Sequence, residues 1–392
     1  MKKGFIVLLA GLIVLAAAAV QAAEPIKLGA FFDVSGPAAS IGTPTKLVAE
    51  MVVAEINKAG GINGRKIELV MGDTESDPTK AVSVAKKLIN VDKVLALVGP
   101  TRTDTGMAVK KMIEEAQIPT FMCVGGDPVI MEGKVGDMDL GTARWIFKSP
   151  QRSSTAVEKV LVYLKAKGWT KIALITSSDG FGRDGKRWLE QLAGKHGVQI
   201  AANESFDCKD TDTTAQLTKI KAANAQAIVC WTICPTGAIV AKNRLQLGMA
   251  TPLFQCHGLP DPKYIELAGK EAAEGNLMPS TKLMAWDQLA DADPQKKVIA
   301  GFVKLYNEVY KYNKDYPINT HSGYAWDAIQ IVAEAMKKVG TDKAKLREAI
   351  ANTKNYVGIS GVYNLTDQDH NGLGTDSMII VKIEGGKWVL QK

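Results

Sequence analysis

Four short segments of this chain carry side chains able to bind or react, and each stands where an apolar run gives way to a loop. Gly99-Pro-Thr-Arg-Thr-Asp-Thr-Gly106 offers the hydroxyls of Thr101 and Thr103 beside the backbone N–H groups of a following helix. That pairing suits a carboxylate or another anion. Arg102 could grip a carboxylate bidentately; Thr103 or Asp104 could instead do no more than cap the helix. Asp179-Gly-Phe-Gly-Arg-Asp-Gly185 contains Gly180-x-Gly182-x-x-Gly185, with Glu204 further on, the spacing of a dinucleotide-binding turn. Its first glycine, however, stands beyond the tight turn that this fingerprint needs. Val229-Cys-Trp-Thr-Ile-Cys-Pro235 places Trp231 and Cys234 at a third run's end, where Trp231 is either a stacking platform or core. Gln255-Cys-His-Gly258 places Cys256 and His257 at a fourth. Cys234, Cys256 and His257 combine sulfur with imidazole as zinc sites do, but without motif spacing, so no metal is expected. His257 could donate to an anion or carbonyl, or be a satisfied structural histidine. Paired catalytic carboxylates, a Ser-His-Asp arrangement and a Walker loop are not apparent, so no catalytic residue and no cofactor are expected.

The elements that must position these segments follow from periodicity. Stretches 26–32, 66–71, 94–98 and 119–124 are short and rich in Val, Ile, Leu and Phe, as strands are. Between them, 46–58, 79–90 and 105–115 carry apolar residues at helical spacing, and Asp77-Pro78 reads as a cap followed by proline at the first helical position. The pattern pauses at Arg144-Trp-Ile-Phe-Lys-Ser-Pro150 and begins again. Strands are expected at 171–176, 198–205, 227–231 and 252–256, with helices at 154–167, 185–196, 213–223 and 236–248. Such alternation predicts α/β architecture: two parallel sheets, each covered by helices. In open sheets of this kind ligands bind beyond the carboxyl ends of the strands, where the four segments lie.

The start of the chain reads as an export signal over residues 1–23. Lys2 and Lys3 precede an apolar stretch, and Val20-Gln-Ala-Ala23 is a small-residue cleavage site. No cysteine lies near that site, which argues against a lipid anchor. The remaining length, about 370 residues, implies two domains. Net charge is +7 and falls to +5 without Lys2 and Lys3. The charges are interspersed, with no basic stripe, which excludes a dedicated nucleic-acid binder. Five cysteines enter an oxidising compartment, an odd number that leaves at least one thiol over. Bridges from Cys230 or Cys234 to Cys256 are conceivable, as are buried unpaired thiols.

Ile26-Lys-Leu-Gly-Ala-Phe-Phe-Asp-Val-Ser-Gly-Pro-Ala-Ala-Ser-Ile-Gly42 is followed by Ala54-Glu-Ile-Asn-Lys-Ala-Gly-Gly-Ile-Asn-Gly-Arg-Lys-Ile67 and by Asp73-Thr-Glu-Ser-Asp-Pro-Thr-Lys-Ala81. This succession resembles the branched-chain amino-acid type of periplasmic solute-binding protein of ABC importers. The resemblance implies the type I periplasmic binding protein fold, two Rossmann-like lobes that close like a Venus flytrap. Three crossing segments would fall near Phe147, Pro279 and Asn355. It implies an N-terminal lobe of 24–147 plus 280–355 and a C-terminal lobe of 148–279 plus 356–392. It implies a monomer in the periplasm that hands a small solute to a membrane permease. A sensory receptor of the same fold and an exported NAD-dependent oxidoreductase are the alternatives. For the site, the resemblance places a ligand carboxylate at Thr103, backbone contacts at Val124, Gly125 and Gly126, an aromatic cleft wall at Phe181, and an aromatic or small polar residue around Trp231. Where such proteins carry a hydroxyl, this chain has Gly126, and where they carry a glutamate for the ligand ammonium it has Gly258. The ligand expected is therefore a small carboxylate-bearing solute. It is a branched-chain amino acid or, given those two departures, a related organic acid or amide, aliphatic or aromatic.

Overall fold

The computed structural model describes residues 24–135 and 138–391; the expected export signal lies outside these residues. Seven strands come before the first crossing: β1 (Ile26–Phe32), β2 (Ile67–Asp73), β3 (Ala96–Val98), β4 (Thr120–Met122), a small hairpin of β5 (Gly133–Val135) and β6 (Met138–Gly141), and β7 (Ile146–Lys148). Five of them form one parallel sheet in the order β2-β1-β3-β4-β7. β1 is buried along almost its whole length, as a central parallel strand must be. Its side chains alternate between two cores. Phe31, with Leu97 and Met122, meets helices α2 (Pro78–Asn90) and α3 (Thr103–Ala116). Phe32, with Val98 and Phe121, meets α1 (Ala39–Lys58) and the Tyr324–Val339 helix on the other face. The start of α2 is capped as its sequence predicts, with Asp77 accepting from the Lys80 N–H at 2.8 Å.

The second sheet is built from β8 (Lys171–Ser177), β9 (Gln199–Phe206), β10 (Ala227–Trp231), β11 (Leu253–Gln255) and β12 (Leu277–Thr281), joined after a short β13–β14 hairpin (Tyr356–Val357, Val362–Tyr363) by β15 (Met378–Glu384) and β16 (Lys387–Gln391). Its order is β16-β15-β12-β11-β10-β8-β9, parallel from β12 to β9 and antiparallel at β15 and β16. Side chains from Ala156 to Met278 and from Met378 onward fill the core around this sheet. Phe147, Leu283 and the Tyr324–Val339 helix belong to the first lobe's core. Among the described residues no helix is long and apolar enough to cross a membrane.

Two expectations need correction. The segment after Asn355 does not return at once to the second lobe. Ile359, Tyr363, Leu365 and Leu373 are all packed in the first lobe's core, so the third crossing falls between Leu373 and Met378. The reason is one carboxylate: Asp327 of the Tyr324–Val339 helix accepts the N–H groups of Ile359 and Ser360, each at 2.7 Å, and holds the hairpin to the first lobe. The cysteine pairing also differs. Cys208 bonds to Cys234, with Cα atoms 5.4 Å apart, while Cys123, Cys230 and Cys256 are buried thiols. The bridge joins the loops that follow β9 and β10. Thiol titration of unfolded, unreduced protein should find three of the five cysteines free, and native protein almost none. The Cys208→Ser/Cys234→Ser variant should lose about 3 kcal/mol of stability; an unchanged melting temperature would contradict the bridge.

Candidate functional site

The carboxyl ends of both sheets face each other, and the lobes are closed. Polar contacts span the gap. Asp104 accepts from the Gly180 N–H at 3.0 Å, and Asp184 from the Asp127 N–H at 2.8 Å. His321 Nε2 donates to the Gly258 carbonyl at 2.9 Å. Asn319 donates to Asp261 at 3.0 Å, and the Thr320 N–H to the Pro260 carbonyl at 2.9 Å. Arg102 lies 3.5 Å from Asp179. Between them a partly enclosed cavity of about 10 Å³ remains, room for about one water. Thr101, Thr103, Cys123, Gly125 and Pro150 wall it from the first lobe with His321 and Tyr324, and Phe181, Ile233, His257 and Gly258 from the second.

The first-lobe wall is built on Asp33 at the end of β1. Its buried carboxylate accepts the Thr101 N–H at 3.0 Å, the Thr101 hydroxyl at 2.5 Å and the Arg102 N–H at 3.1 Å. Thr101 therefore lines the cavity with its hydroxyl already engaged. Thr103 opens α3, and no side chain caps that helix. Asp104 is turned to the other lobe, so neither residue is the cap that the sequence allowed for. The Thr103 hydroxyl is buried, 3% exposed as a residue, and has no hydrogen-bond partner. A buried hydroxyl left this way costs about 1–3 kcal/mol, a cost that a ligand at the helix N-terminus would remove.

The opposite wall repeats that pattern. His257 is 2% exposed, and neither ring nitrogen has a partner. Burial, with the nearby Lys148 charge, pushes its pKa down to about 3, so the ring is neutral and can donate once and accept once. Phe181 packs edge-on against it, centroids 5.4 Å apart. Trp231 stands behind both rings, fully buried and not at the cavity surface, so the core reading of this residue holds.

Two glycines explain the missing side chains. A Cβ at Gly126 would sit 2.5 Å from the Thr103 hydroxyl oxygen, and one at Gly258 would sit 2.5 Å from Ile233 Cγ2. A hydroxyl-bearing residue at the first position would collide with Thr103, and a glutamate at the second with Ile233. Val124 does not reach the cavity; it lies in the core beneath α3, and Cys123 lines the wall instead. Gly125 lets His257 approach, since a Cβ there would lie 3.1 Å from His257 Nε2. Its carbonyl is taken by Lys148, whose ammonium donates at 2.6 Å.

Lys148 is the residue that sequence reasoning missed. It is wholly buried, and it also donates to the Gln151 carbonyl at 3.2 Å and to Asp127 at 3.3 Å. Burial pushes the Asp127 carboxyl up, but Lys148, Ser154 and Arg152 together hold it below the usual carboxylate range. The Gly125–Asp127 loop is thereby tied to the first crossing. Only the Lys-Ser-Pro end of that strand hinted at a special role.

Two further expectations are corrected, for Arg102 and Cys234, and the glycine-rich segment takes a packing role. Arg102 does not point a guanidinium into the cavity; it pairs with Asp104 and Asp179 at the mouth. Cys234 also lies at the mouth, and in its disulfide it has no thiolate to offer a metal. The three glycines of the dinucleotide-like motif do not cradle phosphate. Gly182 packs on the Ser177 carbonyl and Gly185 on the Trp231 ring. The N-terminus of the Gly180–Leu192 helix is met by two carboxylates, since Asp179 accepts the Gly182 N–H and Asp104 the Gly180 N–H.

Two outcomes separate positioning from ligand contact. Lys148→Met should destabilise the fold by about 3–5 kcal/mol by stranding Asp127, with part of the loss restored by adding Asp127→Asn. Thr103→Val and His257→Phe should leave melting temperature unchanged or raised, because each removes an unpartnered polar group. A marked loss of stability in both would assign them to the fold instead.

Comparison with known proteins agrees with this geometry. Residues 25–387 match the model of a family described as periplasmic binding protein. The chain is 24% identical over 366 residues to Leu/Ile/Val-binding protein homolog 3 of Brucella melitensis, covering 93% of each. It is 26% identical over 335 residues to the leucine-, isoleucine-, valine-, threonine-, and alanine-binding protein of Pseudomonas aeruginosa, covering 85% of this chain and 84% of that one. An extracellular ligand-binding receptor from Rhodopseudomonas palustris superposes with a TM-score of 0.83 at 26% identity, over 94% of this chain and all of the other. With a matched family model spanning both lobes and a buried cavity between them, this chain belongs to the periplasmic binding protein family.

Proposed function

We propose that this protein is the extracytoplasmic receptor of an ABC importer and captures a small carboxylate-bearing solute between its lobes. The observation that carries the reading is the set of unpartnered polar atoms on opposite walls of one enclosed cavity, Thr103 Oγ1 from the first lobe and the His257 ring from the second. A carboxylate placed between them takes a hydrogen bond from each lobe and lies at the N-terminus of α3, where the helix dipole favours negative charge. A group that bonds to both lobes stabilises the closed state over the open one, so binding and hinge closure are one equilibrium. The closed monomer is then the form that a membrane permease recognises. No bond is made or broken, and no cofactor takes part.

The relatives named for leucine, isoleucine and valine give the ligand's size class. The cavity wall favours a narrower choice within it. None of the residues lining the cavity is an aspartate or glutamate. An ammonium enclosed there would lose its water without gaining a countercharge, which is costly. The reading is therefore of an organic acid or amide without an α-ammonium. Thermal shifts with leucine, isoleucine and valine, against monocarboxylic acids and amides of similar size, test it. The acids should stabilise, by about 2.7 kcal/mol at a hundredfold excess over Kd. Stabilisation by the amino acids alone would overturn the ligand assignment.

A further inference from the structure

The enclosed cavity is far smaller than the solute its family would carry, yet a much larger space lies one side chain away. Ile233, at the loop after β10, lines the enclosed cavity and also a chamber of about 330 Å³ at the mouth of the cleft. The chamber takes Pro37 and Ala38 from the first lobe, and Ile233, Pro235 and the Cys208–Cys234 disulfide from the second. Its charged groups cancel: Arg102 and Lys209 stand with Asp179 and Asp207, and Arg102 is paired with Asp179 across the lobes. A second anionic group would thus meet no unbalanced cation there, whereas hydrocarbon would meet proline, alanine, isoleucine and a disulfide.

We propose that the chamber beyond Ile233 receives the elongated apolar tail, aryl or unbranched alkyl, of a monocarboxylic acid whose carboxylate lies between Thr103 and His257. This rests on the carboxylate reading above. The tail passes Ile233, and because both lobes supply chamber walls it adds apolar contact that exists only in the closed form. The disulfide joins two loops of the second lobe into one rigid wall, which suits a surface that must be preformed.

Calorimetry with butanoate, hexanoate, octanoate and 4-phenylbutanoate tests the proposal. Affinity should rise about fourfold per methylene buried, and the phenyl acid should bind more tightly than butanoate. Lys209→Trp narrows the chamber from its exposed rim without touching the enclosed cavity, and should weaken octanoate at least tenfold while leaving butanoate unchanged. Ile233→Trp, in the wall that the cavity and the chamber share, should weaken octanoate more than butanoate; if it fails to fold, Lys209→Trp still decides. Affinity that is flat or falls with tail length, or equal effects of Lys209→Trp on short and long acids, would overturn the chamber while leaving the carboxylate site standing. Binding of none of these acids would overturn both.

Discussion

A lysine ammonium with no access to water organises this cleft. Lys148 ends the last strand of the first sheet, and its charge is satisfied by the Gly125, Gly126 and Gln151 carbonyls and the Asp127 carboxylate. Enclosing such an ion is expensive unless every contact is in place. The first crossing, the Gly125–Asp127 loop and the start of the following helix are therefore held as one piece. Asp127 also accepts the Ser153 N–H at 2.8 Å, and its own N–H reaches Asp184 in the second lobe. The wall on which Gly125 and Gly126 sit owes its position to this cluster rather than to the ligand.

Against that fixed wall, closure is polar at the rim and unsatisfied at the centre. The rim contacts pair backbone groups and side chains across the lobes, whereas Thr103 and His257 are left without partners. Such an arrangement costs stability and gains it back when a ligand arrives, which is how a receptor can hold an open–closed equilibrium within reach of a small molecule. Asp184 shows the same tension. Burial and the Asp127 charge push its pKa up to about 6, while Arg187 and the Asp127 N–H keep it tied into the closed interface.

Much of the fold was legible because parallel sheets leave a periodic trace. β1 and β10 begin and end where their apolar runs do, and the strand-end rule pointed to the loops that wall the cavity. The misses have a common cause, which is long-range packing. The 356–373 segment is expected in the C-terminal lobe, but Asp327 holds it to the first lobe. Cys208 finds Cys234 only because β9 and β10 place their loops together. Lys148 stands out only when Asp127, twenty-one residues earlier, is seen beside it. Gly126 and Gly258 read as lost functional groups, whereas each makes room for a neighbour, Thr103 in one case and Ile233 in the other.

The central claim is that Thr103 and His257 wait for one carboxylate. A crystal structure of the protein with a bound monocarboxylic acid tests this most directly. The account predicts a carboxylate oxygen within about 3 Å of both Thr103 Oγ1 and a His257 ring nitrogen, with the lobes closed around it. An acid bound elsewhere in the cleft, with both side chains still unpartnered, would contradict it.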